Sequence, residues 1–108
     1  MNAFTVDISM HLEDAPKFLK LGPGDENVFK VDDKKNTVLK IQEILNKDSS
    51  YEGMDKALKI ALGEEAVKKI NEMDLSMTAY QNIFIGMMAA ISSQKYEEAE
   101  KQFRQSKQ

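Results

Sequence analysis

Apolar and polar positions alternate over the first residues of the chain: Phe4, Val6, Ile8 and Met10 are separated by Thr5, Asp7 and Ser9. A period of two matches a strand with one buried face, so the pattern predicts a short amino-terminal strand. Asp14-Ala15-Pro16 breaks the alternation. Lys17 to Leu21 and Val28 to Val31 then flank Gly22-Pro23-Gly24-Asp25-Glu26-Asn27, a segment of turn-forming residues, which predicts a small β-hairpin. Two or three short strands cannot form an independent unit and must cover one face of whatever follows.

After Val31 the period changes. Val38, Ile41 and Leu45 recur at helical spacing beside Ile44, with Asp32 and Asp33 as candidate N-caps, giving a first helix over roughly 34–47. Asp48-Ser49-Ser50-Tyr51-Glu52-Gly53 reads as a polar break. Met54, Ala57, Leu58, Ala61 and Leu62 make a second amphipathic stripe that ends at Gly63. A third stripe, Ala66, Val67, Ile70 and Met73, starts near Glu64, where Glu64 and Glu65 complement the helix dipole; Gly63 is the hinge between the two. Ser76 is the expected cap of the longest helix, whose stripe runs through Met77, Tyr80, Phe84, Met87, Met88 and Ile91 and continues weakly to Tyr96, Ala99 and Phe103.

Every residue from Ile83 to Ile91 is apolar or Gly, so this helix should be buried on more than one side. The tail beyond Ser92-Ser93, QKYEEAEKQFRQSKQ, favours helix by composition but has few residues to pack, and it is expected to fray or await a partner. At 108 residues the chain fits one domain. The expectation is a mainly α fold, a small bundle of about four helices with a short N-terminal strand or β-hairpin. It divides into a β-rich segment over 1–31, a helical core over 34–92 and a charged tail over 93–108.

Composition narrows the partners. A net charge of −3 and a pI near 5.2 provide no positive field for a phosphate backbone, so nucleic acid is not an expected partner. The chain has no cysteine, which excludes disulfides and thiolate metal sites and suits a reducing cytoplasm. MNAFTVDISMHLED lacks the basic-then-apolar pattern of a signal peptide. The longest apolar run, Ile83 to Ile91, falls well short of the roughly 20 residues that a membrane-spanning helix requires, so no membrane span is expected. Seven methionines and no tryptophan give an apolar inventory that adapts to irregular partners, with Met54, Met73, Met77, Met87 and Met88 as the positions of interest.

Candidate chemistry is sparse. His11, Glu13 and Asp14 are suitable ligand types, but on a strand edge their spacing does not converge on one ion. Asp32, Asp33 and Asn36 lack the mid-loop Gly and terminal Glu of a calcium loop and are better read as capping residues. Gly22-Pro23-Gly24 precedes acidic residues rather than the Lys-Ser/Thr helix start of a phosphate loop. No serine has a nucleophile-elbow context, and the chain's one histidine gives little support for a triad. Glu64-Glu65 and Glu97-Glu98 lie among lysines on mixed-charge faces, while Lys34-Lys35 and Lys68-Lys69 sit beside acids without interleaved aromatics. No catalytic, metal or cofactor-binding residue is assigned, and no enzymatic activity is expected. What remains is the apolar segment, with Tyr80, Phe84, Met87, Met88 and Ile91 as a candidate partner or self-association surface. Its plainer role is the central core helix, although Gly86, Ala89 and Ala90 would permit close helix approach.

Several stretches together resemble the small tail assembly chaperones of long-tailed bacteriophages and prophages. They are FTVDIS, VFKVDDKKNTVLKIQEIL, ALKIALGEEAVKKINEM and LSMTAYQNIFIGMMAAI, which cover most of the chain without any signature chemistry. The resemblance implies a mainly helical, non-enzymatic protein of the host cytoplasm that binds the tail tape-measure protein before the tube polymerises around it, with homo-oligomers possible. Many members of that family also have a second, longer form made by frameshifting. Two other classes stay open: a minor structural or adaptor protein of a virion, and a small regulatory DNA-binding protein, which would need a basic recognition helix not found here.

Overall fold

The computed structural model describes residues 3–24 and 27–106. Among them, two strands, β1 (Lys17–Lys20) and β2 (Val28–Val31), precede five α-helices: α1 (Lys35–Lys47), α2 (Tyr51–Leu62), α3 (Glu64–Glu72), α4 (Met77–Ser92) and α5 (Tyr96–Ser106). The mainly helical architecture with an N-terminal hairpin is as the periodicity predicts. Five helices form where about four are expected, and residues 3–12 and 93–106 depart in detail from the periodicity.

The hairpin is antiparallel with Lys17 opposite Val31, Leu19 opposite Phe29 and Lys20 opposite Val28. Alternation turns Leu19, Phe29 and Val31 toward the helices and leaves Phe18, Lys20 and Lys30 exposed. Three polar links fasten it down. Asp32 donates its N–H to the Ala61 carbonyl at 2.8 Å, tying the end of β2 to the end of α2. The Lys17 ammonium lies 2.9 Å from the Asp33 carboxylate and donates to the Ile91 carbonyl at 3.4 Å, near the C-terminus of α4. The hydrogen bond between Lys17 and Asp33 holds Asp33 below the usual carboxylate range and Lys17 above its ordinary value.

The predicted amino-terminal strand does not form. Residues 3–8 are irregular, a single 3-10 turn spans Ser9–His11, and Phe4, Val6, Ile8, Met10 and Leu12 are all exposed, Phe4 to 93%. A strand needs a neighbour to satisfy its backbone, and among the described residues no strand lies beside this segment. The Asp7 carboxylate instead accepts the Ser9 N–H at 3.0 Å and the Ser9 hydroxyl at 2.7 Å, a local pattern that competes with regular structure.

The first helix starts at Lys35, and neither Asp32 nor Asp33 is its N-cap residue. Asp32 accepts the Lys34 N–H at 3.1 Å and the Thr37 hydroxyl at 2.9 Å, bracing the turn before the helix, while Asp33 is taken by Lys17. The second helix begins at Tyr51, so Tyr51, Glu52 and Gly53 belong to its first turn rather than to a break. Gly53 is there because α1 and α2 meet tightly: a Cβ at this position would stand 1.9 Å from the Asp48 carbonyl oxygen. Gly63, with φ at 95°, ends α2 and opens α3 as expected of the hinge.

Ser76 caps α4, its Oγ accepting the Ala79 N–H at 3.1 Å. Met87, Phe84 and Ile83 enter one cluster with Ile41, Leu58 and Ile70, while Ile85 and Ala89 enter another with Ala99 of α5. The described part of the tail therefore forms a helix of its own rather than continuing α4. Ser93 adopts the left-handed conformation (φ 54°), Gln94 and Ser93 donate to the carbonyls of Ala89 and Ala90, and the chain reverses so that α5 covers the second face of α4. Ala99 is buried in that seam.

Gly53→Ala is expected to lower stability by about 3 kcal/mol, because backbone must move to admit the methyl group. Gly22→Ala, whose new methyl meets nothing within 4 Å, is expected to stay within about 0.5 kcal/mol. Urea denaturation with unchanged slope checks both; equal midpoints would contradict the packing described.

Candidate partner surface

Of the five residues singled out on α4, two are interior. Met87 is 0% and Phe84 4% exposed, and both pack in the principal core. Tyr80, Met88 and Ile91 are half-buried. Tyr80 points toward α2, where its hydroxyl donates to Asp55 at 3.0 Å and its ring lies 6.4 Å from Tyr51. Burial first, and the Asp55 bond second, push its phenol well above the ordinary value, so it stays a neutral donor. Ile91 ends near the hairpin through the carbonyl that receives Lys17. The structure thus separates the five: two in the core, and three on different borders of the helix.

Met88 borders the most apolar groove described. It holds about 580 Å³ and is formed by Leu45 and Asn46 at the end of α1, Met54 of α2, Phe84 and Met88 of α4, and Phe103 of α5. Phe103 and Phe84 meet edge to face with centroids 6.0 Å apart, an arrangement favoured by the ring quadrupoles. Sequence reasoning did not assign Leu45 or Phe103 to a surface. The signal for Phe103 was the spacing of Tyr96, Ala99 and Phe103 along an otherwise charged helix, which puts all three on one side. Tyr96 is likewise raised, chiefly by burial and then by Glu100.

A second groove, about 600 Å³, runs between β2 and α3. Val28, Phe29 and Lys30 form one wall and Leu62, Ala66 and Lys69 belong to the other. The Lys69 ammonium stands 5.9 Å from the centre of the Phe29 ring. Among the methionines, Met54 is interior, Met73 half-buried and Met77 56% exposed.

His11 lies in the exposed 3-10 turn, and Glu13 and Asp14 follow it at the surface. Among the described residues no three His, Asp or Glu side chains gather to hold an ion, and no helix is long and apolar enough to cross a membrane. Comparison with protein-family models, curated proteins and solved structures finds no match. The geometry thus offers two concave surfaces, an apolar one edged by Asn46, Ser49 and Gln102 and a charged one edged by Lys30, Lys68, Lys69, Glu65 and Glu72.

Because Phe103 is half-buried and closes one wall of the apolar groove, Phe103→Ala should cost about 1–2 kcal/mol, less than the 3–5 typical of a fully buried ring. Met87→Ala should cost more, about 2–5 kcal/mol. Equilibrium unfolding measures both, and the reverse ranking would place α5, not α4, at the centre of the fold.

Proposed function

We propose that this chain is a non-enzymatic assembly chaperone of a long-tailed phage or prophage, acting in the host cytoplasm on the tail tape-measure protein. The observation that carries the reading is the groove between α1, α4 and α5. It is apolar, it is open, and it is bordered by Met88 and Phe103, side chains that accommodate irregular partners. A long helical client presents repeated apolar stripes at three- and four-residue spacing, and such a stripe fits a groove between helices. The resemblance of FTVDIS, the α1 region and the α2 to α4 stretch to tail assembly chaperones supplies the identity of the client. The acidic balance of the chain fits a protein partner better than nucleic acid.

Co-expression with the tape-measure protein encoded beside it tests the reading. The client's soluble fraction should rise and a complex should co-purify, and Met88→Asp, at the groove's rim, should weaken capture at least tenfold while the dichroism spectrum stays helical. The chain should be absent from mature particles. Equal client solubility with and without this chain, and no complex, would overturn the proposal; abundance in mature virions would put a structural role in its place.

A further inference from the structure

The amino-terminal arm, residues 3–12, is a strand pattern without a sheet, and among the described residues no strand lies beside the outer edge of β2. We propose that Phe4 to Ile8 of a second copy of this chain adds as a third strand to the free edge of β2, filling the groove between β2 and α3. Two copies would do this reciprocally. The inference stands whether or not the chaperone reading holds.

The hydrogen-bond register identifies which groups are free. The Leu21 N–H donates to the Asn27 carbonyl at 3.0 Å, and in an antiparallel pair the bonded and non-bonded partners alternate. Leu19–Phe29 and Lys17–Val31 are therefore bonded pairs, and Val28 and Lys30 turn their N–H and C=O groups outward. No backbone bond within the described residues reaches those outward groups. An open edge of this kind is a template for another strand.

The arm matches the edge in pattern and in charge. With its backbone paired to β2, alternation places Phe4, Val6 and Ile8 on the inward side, over Phe29, Leu62 and Ala66 of the groove, and Thr5 and Asp7 on the outer side beside Lys30. The groove carries Lys30, Lys68 and Lys69 against Glu65 and Glu72, a cationic excess, while Asp7 is the one charged residue between Ala3 and Met10. Paired opposite charges across neighbouring strands are favourable, and they fix which way the arm faces.

The exposed area is sufficient for an interface. The chain exposes 8091 Å², against about 6100 Å² for a compact monomer of this mass. The excess is larger than the roughly 800 Å² that each partner of a stable complex gives up. Its radius of gyration, 16.4 Å, and longest extent, 65 Å, likewise exceed the compact value of about 13 Å for the radius. An arm held off its own body is placed to reach another copy. Reciprocal exchange also closes on itself, covering the β2 edge of both copies without propagating into a fibre.

Light scattering and sedimentation of the full chain over a range of concentrations test this. The wild type should have about twice the 12.3 kDa chain mass. Val6→Asp spoils the arm, and Lys30→Pro removes an outward N–H that the hairpin itself does not use; each alone should give monomers with unchanged helical dichroism. Mixed together, these two variants should regain a species of twice the chain mass, because one contributes an intact arm and the other an intact edge. A monomeric wild type, a dimer that survives Val6→Asp, or a folded Lys30→Pro variant that remains dimeric would each overturn the proposal. So would a monomer whose arm amides are protected from hydrogen exchange, which would mean that the arm docks on its own edge. Should Lys30→Pro fail to fold, Val6→Asp decides alone.

Discussion

The structure depends on covering one helix that is apolar on every side. Between Ile83 and Ile91 α4 has no polar face to give to water, so a single layer of neighbours cannot bury it. The chain responds with two layers. Ile83, Phe84 and Met87 pack against the cluster built by α1, α2 and α3, and Ile85 and Ala89 pack against α5. The hairpin closes a third approach, and Gly86 permits it: a Cβ there would lie 2.9 Å from a Leu19 methyl carbon. Each fully buried aliphatic side chain contributes about 1.5–3 kcal/mol, against an ordering cost of about 1–2 kcal/mol for each residue's backbone. Two-sided burial of α4 removes apolar surface that a single layer of neighbours would leave in water.

Elements specified by neighbours in sequence were legible. The hairpin, the Ser76 cap and the Gly63 hinge follow from local turn and capping chemistry, and the helical stripes follow from period. Elements specified by backbone placement rather than by residue type were not. Gly53 reads as a breaker in isolation, and its reason for being inside a helix is the Asp48 carbonyl that a side chain would strike. The return of α5 depends on Ser93 accepting a left-handed conformation that sequence would more readily assign to Gly or Asn. The arm shows the limit of periodicity most directly, since alternation reveals that Phe4, Val6 and Ile8 could share a buried face but not whether the neighbour is in the same chain.

The same distinction governs the candidate surface. Tyr80, Phe84, Met87, Met88 and Ile91 were legible as one apolar stripe, but the neighbours decide which are core and which are rim. Met87 is fully buried in the principal core, Tyr80 is committed to Asp55, and Phe84 and Met88 line the groove beside Phe103, Phe84 from within the core and Met88 at the rim. The two grooves proposed for partner binding and for strand pairing lie on separate parts of the molecule, one lined by α1, α4 and α5 and the other by β2 and α3.

The two-layer account assigns α4 to the deepest part of the fold and α5 to a smaller seam carried chiefly by Tyr96, Ala99 and Phe103. Residue-resolved hydrogen exchange under native conditions tests that assignment most directly. Amides of Ile83 to Met87 should open only with global unfolding, and those of α5 should open at a free energy lower by about 2 kcal/mol or more. Protection of α5 equal to that of α4, or fast exchange within α4 itself, would contradict the account.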